Sequence, residues 1–243
     1  MGGWVGNIEV NGYEVEAAFS ALTIDEVVDP LLDKLDALAE AKGSRVLVFL
    51  AAPPGAGKTT FASFLEAYYE ESDRDHMLQC IGLDGFHRTN AELDALGLRQ
   101  VKGAPETFDA DALMAKLDEL GGNGELTWPV YDRNLHEPVA DAVKVEGDIV
   151  ILEGNWLLLD EEPWSDVADY ADYTIFLLAD EGLLKEGLVA RKQRGGVSRE
   201  EALAHYDRAD GPNIRRALER RLPADVTLRL LAPGEIVFDY TLK

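Results

Sequence analysis

The stretch Arg45-Val-Leu-Val-Phe-Leu-Ala-Ala-Pro-Pro-Gly-Ala-Gly-Lys-Thr-Thr60 joins an apolar run to a glycine-rich turn that ends in Gly-Lys-Thr-Thr. The run, residues 45–51, is typical of a strand buried on both faces of a parallel sheet. In such a turn the glycines let backbone N–H groups approach phosphate oxygens, Lys58 reaches the β- and γ-phosphates, and the Thr59 hydroxyl binds Mg²⁺. The stretch therefore predicts a P-loop for ATP and Mg²⁺. Its predicted nucleotide-binding residues are Pro54, Gly55, Ala56, Gly57, Lys58, Thr59 and Thr60.

The turn departs from the P-loop pattern at its first position, where Ala52 stands in place of glycine. Alanine is the smallest replacement, so any loss is expected in backbone conformation rather than in chemistry. The interpretation as a P-loop rests on context, because Gly-Lys-Thr-Thr follows a buried strand and precedes an amphipathic helix. That helix also points the positive end of its dipole at a bound phosphate.

Further apolar runs of strand length alternate with helical patterns along the chain. Strands are predicted over 77–83, 148–152, 173–178 and 226–231, and helices over 61–70, 109–120, 181–193 and 199–206. The alternation predicts an α/β fold of the P-loop NTPase type, with a parallel sheet and helices on both faces. Two shorter alternating pieces, 126–130 with 139–145 and 236–240, are predicted to be hairpins or edge strands.

The first 43 residues predict a small β-hairpin followed by a helix. Apolar and polar residues alternate on both sides of Asn11-Gly12, a pair that accepts the positive φ angles of a tight turn. Two signals compete for the start of the helix. Thr23 with Glu26 resembles a capping box, and Asp29-Pro30 offers a second start. Leucines at helical spacing then lead to Gly43.

The 243 residues include 46 acidic and 23 basic side chains, which give a formal charge of −23. This excess disfavours attraction to phosphate backbones and anionic lipid, so neither nucleic acid nor a membrane is an expected partner. No signal-like start and no run of ~18 apolar residues is present, so a cytoplasmic location is expected. The one cysteine, Cys80, lies in an apolar run and is expected to be a buried structural thiol.

Two carboxylates are predicted at the carboxyl ends of parallel strands, the edge at which α/β sheets bind ligands. Asp84 follows the strand 77–83, and Glu153 ends the run 148–152. Phosphoryl transfer needs one group that orients the acceptor hydroxyl and another that organises the metal. Asp84 is the candidate for the first role, and Glu153 with Thr59 for the metal site. Turn chemistry alone also places acidic residues at such positions.

A basic cluster, Arg191-Lys-Gln-Arg194, ends the predicted helix 181–193 and precedes two glycines. Helix C-termini favour positive side chains, which explains the cluster without a function. The functional interpretation is a mobile lid near residues 191–200 that is hinged at the glycines. Arg191 and Arg194 would close over the phosphates and are candidate catalytic residues beside Asp84 and Lys58.

These motifs, in this order, resemble the phosphoribulokinase and uridine kinase family. The resemblance is strongest to its branch with bacterial pantothenate kinase and the kinases linked to fructose transport systems, and it covers most of residues 45–240. Besides the P-loop and the basic cluster, it rests on Leu83-Asp-Gly-Phe-His87, Lys102-Gly-Ala-Pro-Glu-Thr-Phe-Asp109, Pro129-Val-Tyr-Asp-Arg133 and Ile151-Leu-Glu-Gly-Asn-Trp156.

The resemblance implies that Asp84 is the catalytic base and that Arg191 or Arg194 belongs to the lid. It also implies an acceptor site, in which the Tyr131 ring would stack on a polar acceptor and Arg133 would hydrogen-bond it. Asn213 would lie either near the nucleotide base or at a helix N-cap. The residues assigned to the acceptor site are Asp84, Phe86, His87, Lys102, Tyr131, Arg133, His136 and Asn155.

The sequence thus predicts one kinase domain, with an N-terminal extension over 1–43 and a core over 45–240. The predicted activity is transfer of the ATP γ-phosphate to an alcohol group of a nucleoside, a sugar or a pantothenate-like metabolite. An NTP-hydrolysing switch or chaperone-like NTPase, and a degenerate nucleotide-binding module, stay open as alternatives. Family members often dimerise, so the resemblance also allows a homodimer.

Overall fold

The computed structural model describes residues 2–10, 12–121 and 126–239. Within these ranges the strands are β1 (Trp4–Val10), β2 (Tyr13–Phe19), β3 (Val46–Ala51), β4 (Leu78–Gly82), β5 (Leu126–Asp132), β6 (Glu137–Val145), β7 (Ile149–Gly154), β8 (Tyr173–Ala179), β9 (Val226–Ala232) and β10 (Glu235–Phe238). The α-helices are α1 (Ala21–Thr23), α2 (Asp29–Lys42), α3 (Lys58–Glu71), α4 (Asn90–Leu96), α5 (Ala110–Leu120), α6 (Trp164–Ala168), α7 (Glu181–Arg194), α8 (Arg199–His205) and α9 (Gly211–Glu219). Asn11 of the predicted turn and Tyr240 of the last predicted strand lie outside the described residues.

The central sheet has the strand order β10-β9-β8-β3-β7-β4. Strands β4, β7, β3, β8 and β9 run parallel to their neighbours, and β10 pairs antiparallel with β9 at one edge. All six residues of β3 are buried, as the continuous apolar run predicted. The predicted parallel sheet is confirmed, and the piece 236–240 contributes an edge strand.

The side chains of β3 alternate between two hydrophobic cores, because successive strand residues point to opposite faces of the sheet. Val48 belongs to the core that holds apolar residues of α2, α3 and α7. Phe49 belongs to the other core, together with residues of α5 and α6. Helices therefore cover both faces of the sheet, as predicted.

The N-terminal hairpin is confirmed and lies along α3. Strands β1 and β2 pair antiparallel, with Val10 opposite Tyr13. The ring of Phe19 stacks on Phe64 of α3 at 3.7 Å between centroids, and Trp4 meets Phe64 edge-on at 5.0 Å. This aromatic packing buries the part of the apolar face that lies on α3, whereas Val15 and Tyr13 of the same face are exposed.

The predicted capping box at Thr23 and Glu26 is wrong. The helix after the hairpin starts earlier, at Ala21. The Ser20 hydroxyl accepts a hydrogen bond from the Thr23 N–H at 3.1 Å and caps α1. The Thr23 side chain is buried, and its hydroxyl accepts a bond from the N–H of Ile236 at 3.1 Å. Thr23 has helical φ and ψ angles of −61° and −41° and its side chain makes no cap bond, so it lies within the helix and not at an N-cap.

The second predicted start, at Asp29-Pro30, coincides with the start of α2. It follows a wide helical turn at Ile24–Val28, and Pro30 has no N–H with which to continue regular bonding from that turn. Helix α2 ends at Gly43, which has a φ of 64° as expected of a helix-ending glycine.

Three helices, α4, α6 and α9, were not predicted. Helix α4 carries a capping box at Thr89 and Glu92, a signal that was readable in the sequence. Helix α9 follows α8 through a wide turn at Tyr206–Asp210. Asn213 lies inside the first turn of α9, so the interpretation of Asn213 as a helix N-cap is wrong.

Strands β5 and β6 form an antiparallel hairpin that packs against the 3₁₀ turn Leu83–Phe86. A Cβ at Gly85 would lie 2.1 Å from the carbonyl oxygen of Pro129, so only glycine permits this approach. The glycine after Asp84 thus places the 3₁₀ turn directly against β5. Within the described ranges, no helix combines the length and the apolar character needed to cross a membrane.

Candidate active site

The glycine-rich turn lies between β3 and α3, and α3 begins at Lys58. Gly55 and Gly57 have φ angles of 86° and 79°, a left-handed region that disfavours other residues. The first N–H groups of α3, including those of Lys58 and Thr59, have no partner within the helix. Together with the helix dipole they make the turn a site for an anion.

The turn also packs against α7. A Cβ at Gly55 would lie 2.8 Å from Cγ of Leu188, which is a buried residue of α7. We expect Gly55→Ala to lower the free energy of unfolding by about 1–3 kcal/mol, because it adds left-handed strain and a clash with a packed side chain. Urea unfolding measures the loss. Gly97→Ala is the control, since Gly97 has a φ of 71° and open space around its Cα. Equal losses in the two variants would argue against the contact with Leu188.

Ala52, at the position where the P-loop pattern has glycine, is fully buried at the end of β3. Among the described residues other than glycine, positive φ angles occur at His136 and Asp141, and Ala52 is not one of them. Alanine therefore adopts this backbone conformation without left-handed strain.

Glu153 stands beside the P-loop because β7 is the neighbour of β3 in the sheet. The Thr59 hydroxyl donates a hydrogen bond to Oε1 of Glu153 at 2.8 Å. The Lys58 ammonium lies 3.5 Å from Oε2 of the same carboxylate. The structure therefore brings the predicted phosphate-binding and metal-binding residues into direct contact.

These oxygen atoms suit Mg²⁺. The part of the chain that the structure describes has no group of three or more His, Cys, Asp or Glu side chains arranged around a common metal position. Mg²⁺ in phosphate-transfer sites is held by one or two protein oxygens, together with substrate phosphates and water. The Thr59 hydroxyl and the Glu153 carboxylate are such donors, and they fit an ion that arrives with the nucleotide.

Asp84 lies in the 3₁₀ turn Leu83–Phe86, just beyond the end of β4. Gly82 of β4 pairs with Glu153 of β7, so Asp84 lies at the same edge of the sheet as the P-loop. Arg133, which follows β5, donates a hydrogen bond from Nη2 to Oδ2 of Asp84 at 2.9 Å. Both side chains are partly exposed to solvent.

The pKa of the Asp84 carboxyl is held below its usual value. Burial raises this pKa, but the nearby positive charges of Lys58 and Arg133 lower it by more. Asp84 is therefore ionised at neutral pH and can accept a proton.

His87 follows Asp84 and is held between two rings. It stacks on Phe108 at 3.9 Å between centroids and meets Tyr131 edge-on at 5.2 Å. Burial lowers the pKa of His87 to about 4, and the charge of Asp84 offsets only part of this effect. His87 is thus neutral at pH 7. Its Nδ1 is buried without a hydrogen-bond partner in the described structure, an arrangement that costs energy unless a bound molecule or water supplies one.

A cavity of about 590 Å³ opens beside Asp84. Its size falls within the range of small-molecule sites, ~300–1,000 Å³. Its walls include Thr59, Glu153, Tyr131 and Arg133 as well as Asp84. Residues predicted separately for phosphate, metal, proton transfer and acceptor therefore line one cavity.

Other residues assigned to the acceptor site lie around this cavity instead of in its wall. The Lys102 ammonium bonds Oδ1 of Asn90 at 2.8 Å and the His136 carbonyl at 3.0 Å, and it lies 4.9 Å from the Tyr131 centroid. His136 thus acts through its backbone, and its side chain is exposed. Phe86 is buried and meets Trp128 at 5.0 Å, so it supports the site from the core.

Asn155 comes two residues after Glu153, just beyond the end of β7. Its Oδ1 is buried and has no hydrogen-bond partner in the described structure. A buried amide oxygen without a partner costs folding free energy, as does the buried Nδ1 of His87. This oxygen can accept a hydrogen bond from a ligand.

Arg191 and Arg194, the two candidate lid arginines, lie in the last turn of α7. The side chain of Arg191 is exposed and lies within electrostatic reach of Asp210, Arg133 and Asp84. Arg194 is also exposed, one turn further on. Helix α7 ends at Gly195, and α8 starts after its N-cap Ser198. The predicted helix, glycine turn and second helix are all present.

The sequence did not single out every residue in the cavity wall. Gly12 and Tyr13 of the N-terminal hairpin and Cys80 also line it. The alternating pattern predicts a hairpin but carries no information on where the hairpin docks. Cys80 is half-buried, not fully buried as expected; its thiol donates to the carbonyl of Ala62 at 3.2 Å, and burial raises its pKa.

Comparison with known proteins shows the family. Residues 47–208 match the model of the Phosphoribulokinase / Uridine kinase family. The Escherichia coli (strain K12) protein "Uncharacterized protein YggC" is 42% identical over 95% of this chain and 98% of its own length. "Putative uridine kinase C227.14" of Schizosaccharomyces pombe is 32% identical over 77% of this chain and 84% of its own length.

Among solved structures, the "putative fructose transport system kinase" from Silicibacter sp. TM1040 is similar, with a TM-score of 0.71 and 32% sequence identity. The match covers 79% of this chain and 98% of that one. The family match runs from β3 to the wide turn before α9 and includes the P-loop, Asp84 and Glu153. The resemblance seen in the motifs is thereby confirmed, and this chain belongs to the phosphoribulokinase/uridine kinase family of P-loop kinases.

Proposed function

We propose that this chain transfers the γ-phosphate of ATP to an alcohol group of a nucleoside, a sugar or a pantothenate-like metabolite. Kinases of this family act on small metabolites and use ATP, with Mg²⁺ as the usual ion. The observation that carries the proposal is that the P-loop, Glu153 and Asp84 meet at one cavity large enough for such a metabolite.

Asp84 is the proposed general base. It is ionised at neutral pH and lines the cavity in which the acceptor would bind. It takes the proton of the acceptor hydroxyl as the bond from that oxygen to the γ-phosphorus forms. The bond from the γ-phosphorus to the bridging oxygen breaks in the same transfer, and ADP leaves with the electron pair. Arg133 holds Asp84 in position through the bond at 2.9 Å.

The P-loop residues are proposed to hold the phosphates and the metal. Lys58 neutralises charge on the β- and γ-phosphates, and the first N–H groups of α3 bind their oxygens. Thr59 and Glu153 supply oxygen ligands to Mg²⁺, which neutralises phosphate charge when bound. Glu153 pairs with Lys58 at 3.5 Å, which keeps the Lys58 ammonium beside the P-loop.

The acceptor is proposed to lie against Tyr131, with Arg133, His87 and Asn155 as polar contacts. The neutral His87 and the amide oxygen of Asn155 both have buried atoms without partners in the described structure. Groups of this kind suit an acceptor with several hydroxyl groups, because they can form hydrogen bonds without adding charge. Lys102 would hold the Tyr131 ring in place from outside the wall.

Arg191 is the proposed phosphate-binding residue of a lid formed by the end of α7 and the glycine turn. Its charge already interacts with the charges of Asp84 and Arg133. Closure of the lid would exclude water, which protects the phosphoryl group from hydrolysis. Arg194 is the alternative arginine for this role.

The low pKa of Asp84 predicts the pH dependence of turnover. A base with a lowered pKa stays ionised at every pH above that pKa. Between pH 5.5 and 8, protonation of Asp84 is therefore not expected to lower kcat/KM. Arg133→Gln removes one of the charges that lower the pKa, and we expect the acid limb to move up by about one pH unit. A pH profile of kcat/KM for both proteins measures the limb. An unmoved limb would contradict the assignment of Asp84 as the base.

The acceptor is identified by measuring ADP formation from Mg²⁺-ATP across a panel of nucleosides, sugars and pantothenate. Each acceptor is compared with an acceptor-free control. ADP formation that depends on one acceptor class supports the proposal and names the substrate. ADP formation at the same rate without any acceptor would favour the hydrolytic switch instead.

A further inference from the structure

The N-terminal hairpin is fixed along α3, the helix that carries the P-loop residues. Near the far end of α3, the indole N–H of Trp4 donates to the Glu71 carboxylate at 2.9 Å. Nearer the P-loop, the Ser63 hydroxyl donates to the carbonyl of Glu9 at 2.9 Å. Strand β1 therefore runs antiparallel to α3, and the tip of the hairpin points toward the P-loop end of the helix.

The inner face of the hairpin continues past α3 onto the cavity. Ile8 is buried against α3 and lies opposite Val15, and the next pair on that face is Val10 with Tyr13. Residues that pair across an antiparallel ladder share one face, so Tyr13 belongs to the apolar inner face. Glu14 belongs to the outer face, opposite Glu9.

Tyr13 has no place in the core although it stands on the inner face. Its side chain is 67% exposed, whereas Ile8 on the same face is 4% exposed. Tyr13 and Gly12 line the cavity together with Asp84, Tyr131 and Arg133. An exposed aromatic ring in the wall of a site is a contact surface for flat or apolar parts of a ligand, at low cost in side-chain entropy.

We propose that Tyr13 contacts the acceptor, so that the tip of the N-terminal hairpin is a specificity element of the acceptor site. The family match begins at residue 47 and does not include this hairpin. The acceptor it favours carries a ring or another flat face that can lie against Tyr13, and Asp84 lines the same cavity. This inference rests on the proposed function, since it concerns the same acceptor.

The test compares steady-state kinetics of three variants with those of the wild-type protein, using the acceptor found in the panel. Tyr13→Ala is expected to raise the acceptor KM about 10-fold, which is the effect expected when a stacked ring is removed. The ATP KM is expected to stay unchanged. Tyr13→Phe keeps the ring and is expected to stay within about 2-fold of wild type. Glu14→Ala, on the outer face of the same strand, is the matched control and is expected to leave both KM values unchanged.

The outcomes separate this inference from the function on which it rests. If the wild-type protein phosphorylates an acceptor but Tyr13→Ala has an unchanged KM for that acceptor, the inference about Tyr13 is overturned and the proposed function is not. Equal rises in the ATP and acceptor KM values would also overturn it, because they would show a general disturbance through α3. Absence of acceptor-dependent turnover in the wild type would overturn the proposed function and this inference with it. Stabilisation of Tyr13→Ala by Mg²⁺-ATP in a thermal melt shows that the variant is folded.

Discussion

Asp84→Asn is expected to lower kcat by ~10²–10⁴-fold while leaving the affinity for ATP nearly unchanged, because general-base catalysis contributes that much to proton transfer. Asparagine keeps the size of the side chain and an oxygen that can accept the bond from Arg133, which is 2.9 Å in the wild-type protein. It has no basic carboxylate to take the proton of the acceptor hydroxyl. The loss should appear in kcat for the acceptor reaction, measured at saturating Mg²⁺-ATP.

A matched control for this variant is Asp94→Asn on α4. Asp94 is an exposed carboxylate that pairs with Arg99 at 3.6 Å, and exposed pairs contribute little to stability. We expect its turnover to equal that of the wild type. Near-normal turnover in Asp84→Asn would remove Asp84 from the role of base. A large rise in the Kd for ATP would point to a role at the phosphates instead.

Lys58→Ala is expected to weaken binding of Mg²⁺-ATP and to lower kcat by ~10²–10³-fold, because its ammonium neutralises charge that develops on the transferred phosphoryl group. The Lys58 side chain is only 15% exposed and lies 3.5 Å from Glu153, at the start of α3. Calorimetric titration measures the Kd for Mg²⁺-ATP, and the acceptor assay measures kcat. Lys58→Met, which preserves most of the volume, separates loss of charge from loss of packing.

Lys116→Ala on α5 is the control for Lys58→Ala. Its ammonium pairs with Glu119 at 2.9 Å on the surface, and we expect unchanged binding and turnover. Unchanged binding and transfer in Lys58→Ala would overturn the P-loop assignment. Because the charge of Lys58 also lowers the pKa of Asp84, the surviving activity of Lys58→Ala should show an acid limb at higher pH.

Features with a local physical cause could be predicted from the sequence. The P-loop depends on glycines, a lysine and a threonine within a few positions, and α3 begins at Lys58 as the motif requires. The parallel strands are readable because a strand buried on both faces is apolar throughout, as in β3. Asp84 and Glu153 could be proposed together because both follow such strands, whose ends meet at one edge of the sheet.

Features that depend on contacts between distant segments could not be predicted in this way. The sequence offered Thr23 as a helix cap, but the Thr23 hydroxyl is used by Ile236 and Ser20 is the cap. Phe86 stands in a motif with Asp84, yet its ring is turned into the core against Trp128. When the local sequence is compatible with several positions or hydrogen bonds for a side chain, contacts with residues distant in sequence determine which one forms.

The sequence by itself determined the fold class, the P-loop and the pair of strand-end carboxylates, because local backbone geometry and the alternation of strands and helices specify them. Only the tertiary structure decided that Arg133 pairs with Asp84, that Arg191 lies within electrostatic reach of both, and that the hairpin tip with Tyr13 forms part of the cavity wall. Hydrophobic burial is the physical reason for this division. It directs apolar faces to pack together but, being non-directional, does not specify from one segment alone which other segment it will meet.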